Sequence, residues 1–187
     1  MRVRVRPEIR ADHDDVRRLV IDGFDGVGEQ GVEVVVERAR SSRESFTGRA
    51  YFVLPARPKL HPDTRYLVRL KIPGTPRNRA YPKTYRYWNR TTAPWITVGD
   101  WRERLVALAA HEACHVRQFR GGLRRSEVEA EGWAVRILEG WRARDGAPTT
   151  WPREDLWAPT ARVGQLVLPL GELAAASAAA RRHRRST

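Results

Sequence analysis

The chain has 187 residues, 41% of them hydrophobic and seven of them tryptophan, which excludes a disordered chain and suits one domain with its own core. Its net charge of +13 is carried almost wholly by arginine, a surface that attracts nucleic acid, acidic proteins or anionic lipid. The single cysteine, Cys114, excludes an internal disulfide, and the absence of any apolar run near 18 residues excludes a spanning helix.

Residues 1–6 alternate arginine with apolar residues and lack the apolar stretch of a signal peptide, so a cytoplasmic location is expected. Val16, Leu19, Val20 and Phe24 recur at helical spacing and predict an amphipathic helix over residues 12–24. Gly26, Gly28 and Gly31 then interrupt the chain. Short strands are predicted at 32–36, 46–54 and 65–72, punctuated by prolines. The segment 77–99 is irregular, basic and aromatic, with a brief strand at 95–98. Arginines interleaved with Tyr81, Tyr85, Tyr87, Trp88 and Trp95 could hold single-stranded nucleic acid by phosphate contact and stacking. The same letters also make a solvent-facing strand with an apolar underside, and that second reading is preferred.

A helix starts after Asp100, with Glu103 three residues on as in a capping box, and stops at Gly121-Gly122. Ser126 and Glu129 form a second box, so another helix begins near Glu127. Ala130, Trp133, Ala134, Ile137, Leu138 and Trp141 mark its buried face. Past Gly146 no clear period returns until 163–170, and the Ala-rich residues 171–180 are expected to be helical. The expected organisation is a domain over 1–145 with its core about 95–141, an extension over 146–180 and a mobile basic tail over 181–187. Helices flanking a run of strands imply an α+β fold.

The chemistry concentrates in His111-Glu112-Ala113-Cys114-His115. Two histidines four residues apart share one helix face, about 6 Å from each other, so both rings can reach one ion. Glu112 lies roughly 100° round the helix, within reach of a water at the ion without being a ligand. The plainer alternative is an exposed helix that happens to carry two histidines. A zinc site with an open position needs a third protein ligand. Glu127 and Glu131 both fall on the core stripe of the following helix, whereas Glu129 points away and caps. Carboxylates on a buried face are costly unless paired or metal-bound. Cys114 reads as a packed small apolar residue rather than a ligand.

This arrangement, an H-E-x-x-H helix followed by a helix bearing Glu and a second acid four residues later, resembles the gluzincin branch of the zincin metallopeptidases. The run Glu127-Val128-Glu129-Ala130-Glu131-Gly132-Trp133-Ala134 is also similar to small intracellular zincins of the ImmA/IrrE type. The resemblance covers about 95–141 and implies a minimal zincin-like domain, with an N-terminal helix and small twisted sheet packed on the two motif helices. It implies Zn2+ held by His111, His115 and Glu127, with Glu131 orienting His111. Glu131 stands where the second family has Asn or Asp, which leaves the third ligand open between Glu127 and Glu131. Metzincins need Gly and His where this chain has Gln118 and Gly121, and SprT-like proteases take a third histidine that is lacking before His183.

The implied activity is zinc-dependent hydrolysis of a protein or peptide. A water made acidic by zinc gives its proton to Glu112 and attacks the carbonyl, and Glu112 returns the proton to the leaving amine. Tyr85, Tyr87 or an arginine would complete the oxyanion site, and a strand at 65–72 or 95–98 would present an edge to an extended substrate. The competing expectations are a zincin-fold regulator or nucleic-acid-binding protein with a structural or vestigial zinc site, and a zinc hydrolase acting on non-peptide substrates.

Overall fold

The computed structural model describes residues 1–40, 46–52, 60–78, 81–85 and 95–145. The expected extension and basic tail, and Tyr87 and Trp88, lie outside the described residues. In chain order the elements are β1 (Arg2–Val5), α1 (His13–Gly23), β2 (Val32–Arg38), β3 (Thr47–Phe52), β4 (Tyr66–Ile72), β5 (Lys83–Tyr85), β6 (Ile96–Val98), α2 (Trp101–Arg120) and α3 (Glu127–Asp145). The fold is α+β, with a four-stranded mixed sheet and a two-stranded one among the described residues.

The larger sheet has the order β1-β2-β4-β3, with β1, β2 and β4 parallel and β3 antiparallel to β4. Parallel pairing of β1 with β2 needs a crossover, which α1 provides. That helix starts as expected: the Asp12 carboxylate accepts from the backbone N–H groups of Asp14 and Asp15 at 2.9 and 2.8 Å. Strand β1 was not foreseen. Its Arg-Val alternation is a strand pattern, with the arginines exposed and Val3 and Val5 packed on the core, and Arg4 pairs with the buried Glu33 of β2. The valine run of β2 is apolar on both faces because both are covered. Val34 and Val36 join the main core, while Val35 meets Leu67 and Leu60 on the other side.

The expectation that 65–72 presents a free edge is corrected by this topology. Strand β4 lies between β2 and β3, so both its edges are paired, and among the described residues the edge strands of this sheet are β1 and β3. Strand β6 pairs with β5, which occupies part of the segment read as irregular.

Helix α2 runs through the middle of the core, with 15 of its 20 residues buried. Its N-cap forms as the sequence implied, Asp100 Oδ1 accepting from Glu103 N at 2.8 Å. Glu103 reaches one residue further back than a capping box requires, accepting from Gly99 N at 2.6 Å. Arg142 of α3 clamps the same carboxylate with Nε at 2.9 Å and a second nitrogen at 2.5 Å, and also donates to Thr97 O. The start of α2 is thereby tied to the end of α3. Helix α1 crosses α2 closely because residue 23 is glycine: a Cβ there would sit 2.5 Å from Ala109 Cβ. Among the described residues no helix is long and apolar enough to cross a membrane.

Candidate metal centre

The buried stretch of α2 holds His111 and His115 side by side, with ring centroids 4.9 Å apart and planes at 86°. Both rings are buried. After Gly121 and Gly122, the latter at φ 64°, the chain reverses so that the first residue of α3 returns to these rings. Glu127 Oε2 lies 3.1 Å from His111 Nε2 and 3.4 Å from His115 Nε2. One ligand atom from each of the three residues falls within 4.8 Å of the others, and this group could hold a metal ion.

The donors fit such an ion chemically as well as spatially. His115 Nε2 is buried with no hydrogen-bond partner, which is costly for a polar atom with nothing to bind. Burial pushes the His115 pKa down, with the Gln118 hydrogen bond opposing, which keeps the ring in the neutral form a metal requires. The hydrogen bond with His111 pulls Glu127 down to about 2, with burial opposing and the charge of Arg125 assisting, so it is an anion at neutral pH. Two imidazoles and a carboxylate suit several divalent transition ions.

Glu112 stands beside this group under strand β3. Burial pushes its pKa up to about 7; His111, Arg125 and a hydrogen bond from the Ala50 backbone pull the other way, and Glu127 adds to the rise. One of its oxygens, Oε2, is buried without a hydrogen-bond partner. Strand β3 comes so close that a Cβ on Gly48 would lie 2.6 Å from both Cγ and Oε1 of Glu112. Only glycine permits that contact.

The other expected residues are distributed differently. Glu131 is fully buried one turn further along α3 and lies outside the convergent donor group. Cys114 is fully buried, its thiol pushed up to about 11 chiefly by burial, and is also outside that group. Tyr85 has the Arg104 guanidinium 3.2 Å from its ring centroid. Glu129 does not close a capping box: Ser126 Oγ accepts from Glu129 N at 3.3 Å, but the Glu129 carboxylate binds Arg117 and Gln118 of α2.

Three contributors were missed in the sequence. Arg125, in the turn between α2 and α3, forms an ion pair with Glu127, its Nε 2.9 Å from Oε1, and nothing in its spacing announces that. Gln118 binds His115 at 2.9 Å. Gly48 did carry a signal, since a glycine inside a strand often marks a close approach by another group. Compared with family models, curated proteins and solved structures, the chain gives no match.

Proposed function

We propose that this chain is a zinc-dependent metallopeptidase of the zincin type, with His111, His115 and Glu127 as ligands and Glu112 as general base and acid. The observation that carries the reading is the convergence of Glu127 Oε2 on the Nε2 atoms of both motif histidines. A pair of histidines alone recurs by chance. A carboxylate brought back from another helix onto both rings, with a second acid alongside, is a more specific arrangement.

Two imidazoles and one carboxylate are a donor set of catalytic zinc sites, in which a fourth position stays open. When bound there, zinc supplies the positive charge that makes a water acidic near neutral pH and polarises a carbonyl. The chain's own residues supply the rest. Glu112, placed near pH 7 by burial, is suited to accept a proton from the attacking water and deliver it to the leaving amine. Arg125 holds the far oxygen of Glu127 and leaves the near one to face the histidines. Strand β3, an edge strand among the described residues, lies close against Glu112, and its outer edge would offer a peptide an extended binding mode beside the base.

Metal analysis and peptide hydrolysis on four proteins test the proposal. Wild type and Glu112→Gln are expected to retain about one zinc per chain, with hydrolysis abolished in the second. Glu127→Ala is expected to lose the metal and Glu131→Ala to keep it. Hydrolysis that survives Glu112→Gln would sink the mechanism, and metal lost from Glu131→Ala alone would overturn the ligand assignment. Zinc bound with no peptide hydrolysis would point to the regulatory alternative.

A further inference from the structure

We infer that Gln118 is a positioning residue for the metal centre: it sets the tautomer of His115 and anchors the backbone from which Glu127 projects. The metal part of this inference rests on the reading above; the tautomer part does not.

Gln118 is fully buried on α2, three residues beyond His115. Its amide oxygen lies 2.9 Å from His115 Nδ1 and 3.2 Å from Ser126 N. Its amide nitrogen donates to Ser126 O at 3.2 Å and to Glu129 Oε2 at 2.9 Å. A primary amide has two acceptor sites and two N–H donors, so all four are used and none is left over.

The partners dictate which way round the amide sits. Ser126 O and the Glu129 carboxylate can only accept, so the NH2 group faces them. Ser126 N can only donate, so it faces the oxygen. The same oxygen also faces His115 Nδ1, and an amide oxygen cannot donate. Nδ1 of the neutral ring therefore carries the hydrogen, and Nε2 carries the lone pair. That lone pair faces Glu127 Oε2 at 3.4 Å. Two acceptors at that distance repel each other, and a cation shared between them turns the repulsion into attraction.

The second role follows from Ser126. Its N–H and C=O are both bound by one amide, as a neighbouring strand would bind them, and Ser126 is the residue before Glu127. The Leu123 N–H donates to the Gln118 backbone carbonyl at 2.9 Å, fixing the turn from the same residue. The bond to Glu129 extends the grip into the first turn of α3. One side chain thus holds a ligand on α2 and the root of the ligand on α3. Orienting partners of this kind typically change metal affinity by about 10- to 100-fold when removed.

Nitrogen NMR of the histidine rings in chelator-treated protein, at a pH where His115 is neutral, reads the tautomer directly. Wild type is expected to show His115 protonated on Nδ1. Gln118→Leu is expected to move it toward Nε2 and to weaken Zn(II) binding about 10- to 100-fold in a chelator competition. Gln118→Glu keeps the acceptor for Nδ1–H but loses both donors, so it is expected to keep the tautomer and still bind zinc more weakly. A general loss of packing would not move a tautomer in one variant and spare it in the other. Wild-type His115 protonated on Nε2, or Gln118→Leu with unchanged tautomer and affinity, would overturn the inference. Should Gln118→Leu not fold, the wild-type spectrum and Gln118→Glu still decide it. A wild-type protein with the expected tautomer that takes up no zinc refutes the metallopeptidase reading and, with it, the role of Gln118 in metal affinity alone.

Discussion

Replacing Gly48 with alanine tests how closely β3 lies against Glu112. The added Cβ would meet Glu112 Cγ and Oε1 at 2.6 Å and Cδ at 2.9 Å, where carbon atoms normally rest about 3.5–4.0 Å apart. About 1 Å must therefore be found. Strand β3 is paired with β4 along its whole length, and the helix around Glu112 is buried on every side, so the Glu112 side chain is the part that moves. Overpacking of this kind costs about 1–3 kcal/mol. Gly-to-Ala returns roughly 0.4–1 kcal/mol by restricting the unfolded chain, which leaves a net loss of about 1–2 kcal/mol.

Two assays follow. In urea unfolding, Gly48→Ala is expected to lose that amount in wild type and to gain about 0.4–1 kcal/mol in a Glu112→Ala background, where the obstructing atoms are gone and only the restriction of the unfolded chain remains. In peptide hydrolysis, a displacement of about 1 Å at the base is expected to lower kcat/KM on the order of 100-fold. Metal content should stay unchanged, since no ligand is touched. Equal losses in both backgrounds would refute the claim that β3 is pressed on Glu112, whatever the protein's activity.

Glu112 also sets a pH dependence. Its pKa is raised from 4.5 to about 7 by burial, so between those values the folded metal-free protein holds a proton that the unfolded chain releases. Its contribution to stability is full below pH 4.5 and is lost as the pH rises through 7. Chelator-treated Glu112→Gln should therefore exceed wild type by up to about 3 kcal/mol at pH 8, with the gap closing below pH 4.5; a gap independent of pH would contradict this. Arg142→Met strips the cation from the buried Glu103 carboxylate and should cost about 3–5 kcal/mol in urea unfolding, whereas a cost under about 1 kcal/mol would show that the pair is dispensable. Gly23→Ala puts a Cβ 2.5 Å from Ala109 Cβ and 2.8 Å from Val106 O, and backbone cannot swing aside. A loss of at least about 1–3 kcal/mol is expected, partly restored by Ala109→Gly if the α1–α2 approach is the cause.

What the sequence made legible was local. Asp100 and Ser126 sit where helices begin, and Gly121-Gly122 where one ends, because caps and breaks act within a turn. What stayed hidden depended on distant partners. Strand β1 is four residues of alternating Arg and Val, too short to declare itself without β2, whose Glu33 stands opposite Arg2. Likewise, nothing in chain order says that β4 inserts between β2 and β3, which is what turned the expected edge into an interior strand. Glu129 had the spacing of a capping residue, yet its carboxylate serves α2 instead, where cationic and amide donors outcompete a single backbone N–H.

The choice between Glu127 and Glu131 shows where helical periodicity stops being informative. Four residues apart, they occupy the same face, and any argument from angle treats them alike. They differ only along the helix axis, by about 6 Å, so the start point of α3 relative to His111 and His115 decides which one meets the rings. That start point is a property of the turn. Gly122 supplies the left-handed residue, and Gln118 pins Leu123 and Ser126. With the turn so held, the first residue of α3 faces both histidines and Glu131 is carried one turn past them. A one-turn shift of α3 toward its N-terminus would bring Glu131 to the rings in place of Glu127 without changing a single residue of the stripe. The candidate ligand set therefore rests on the six residues between the helices as much as on the motif itself.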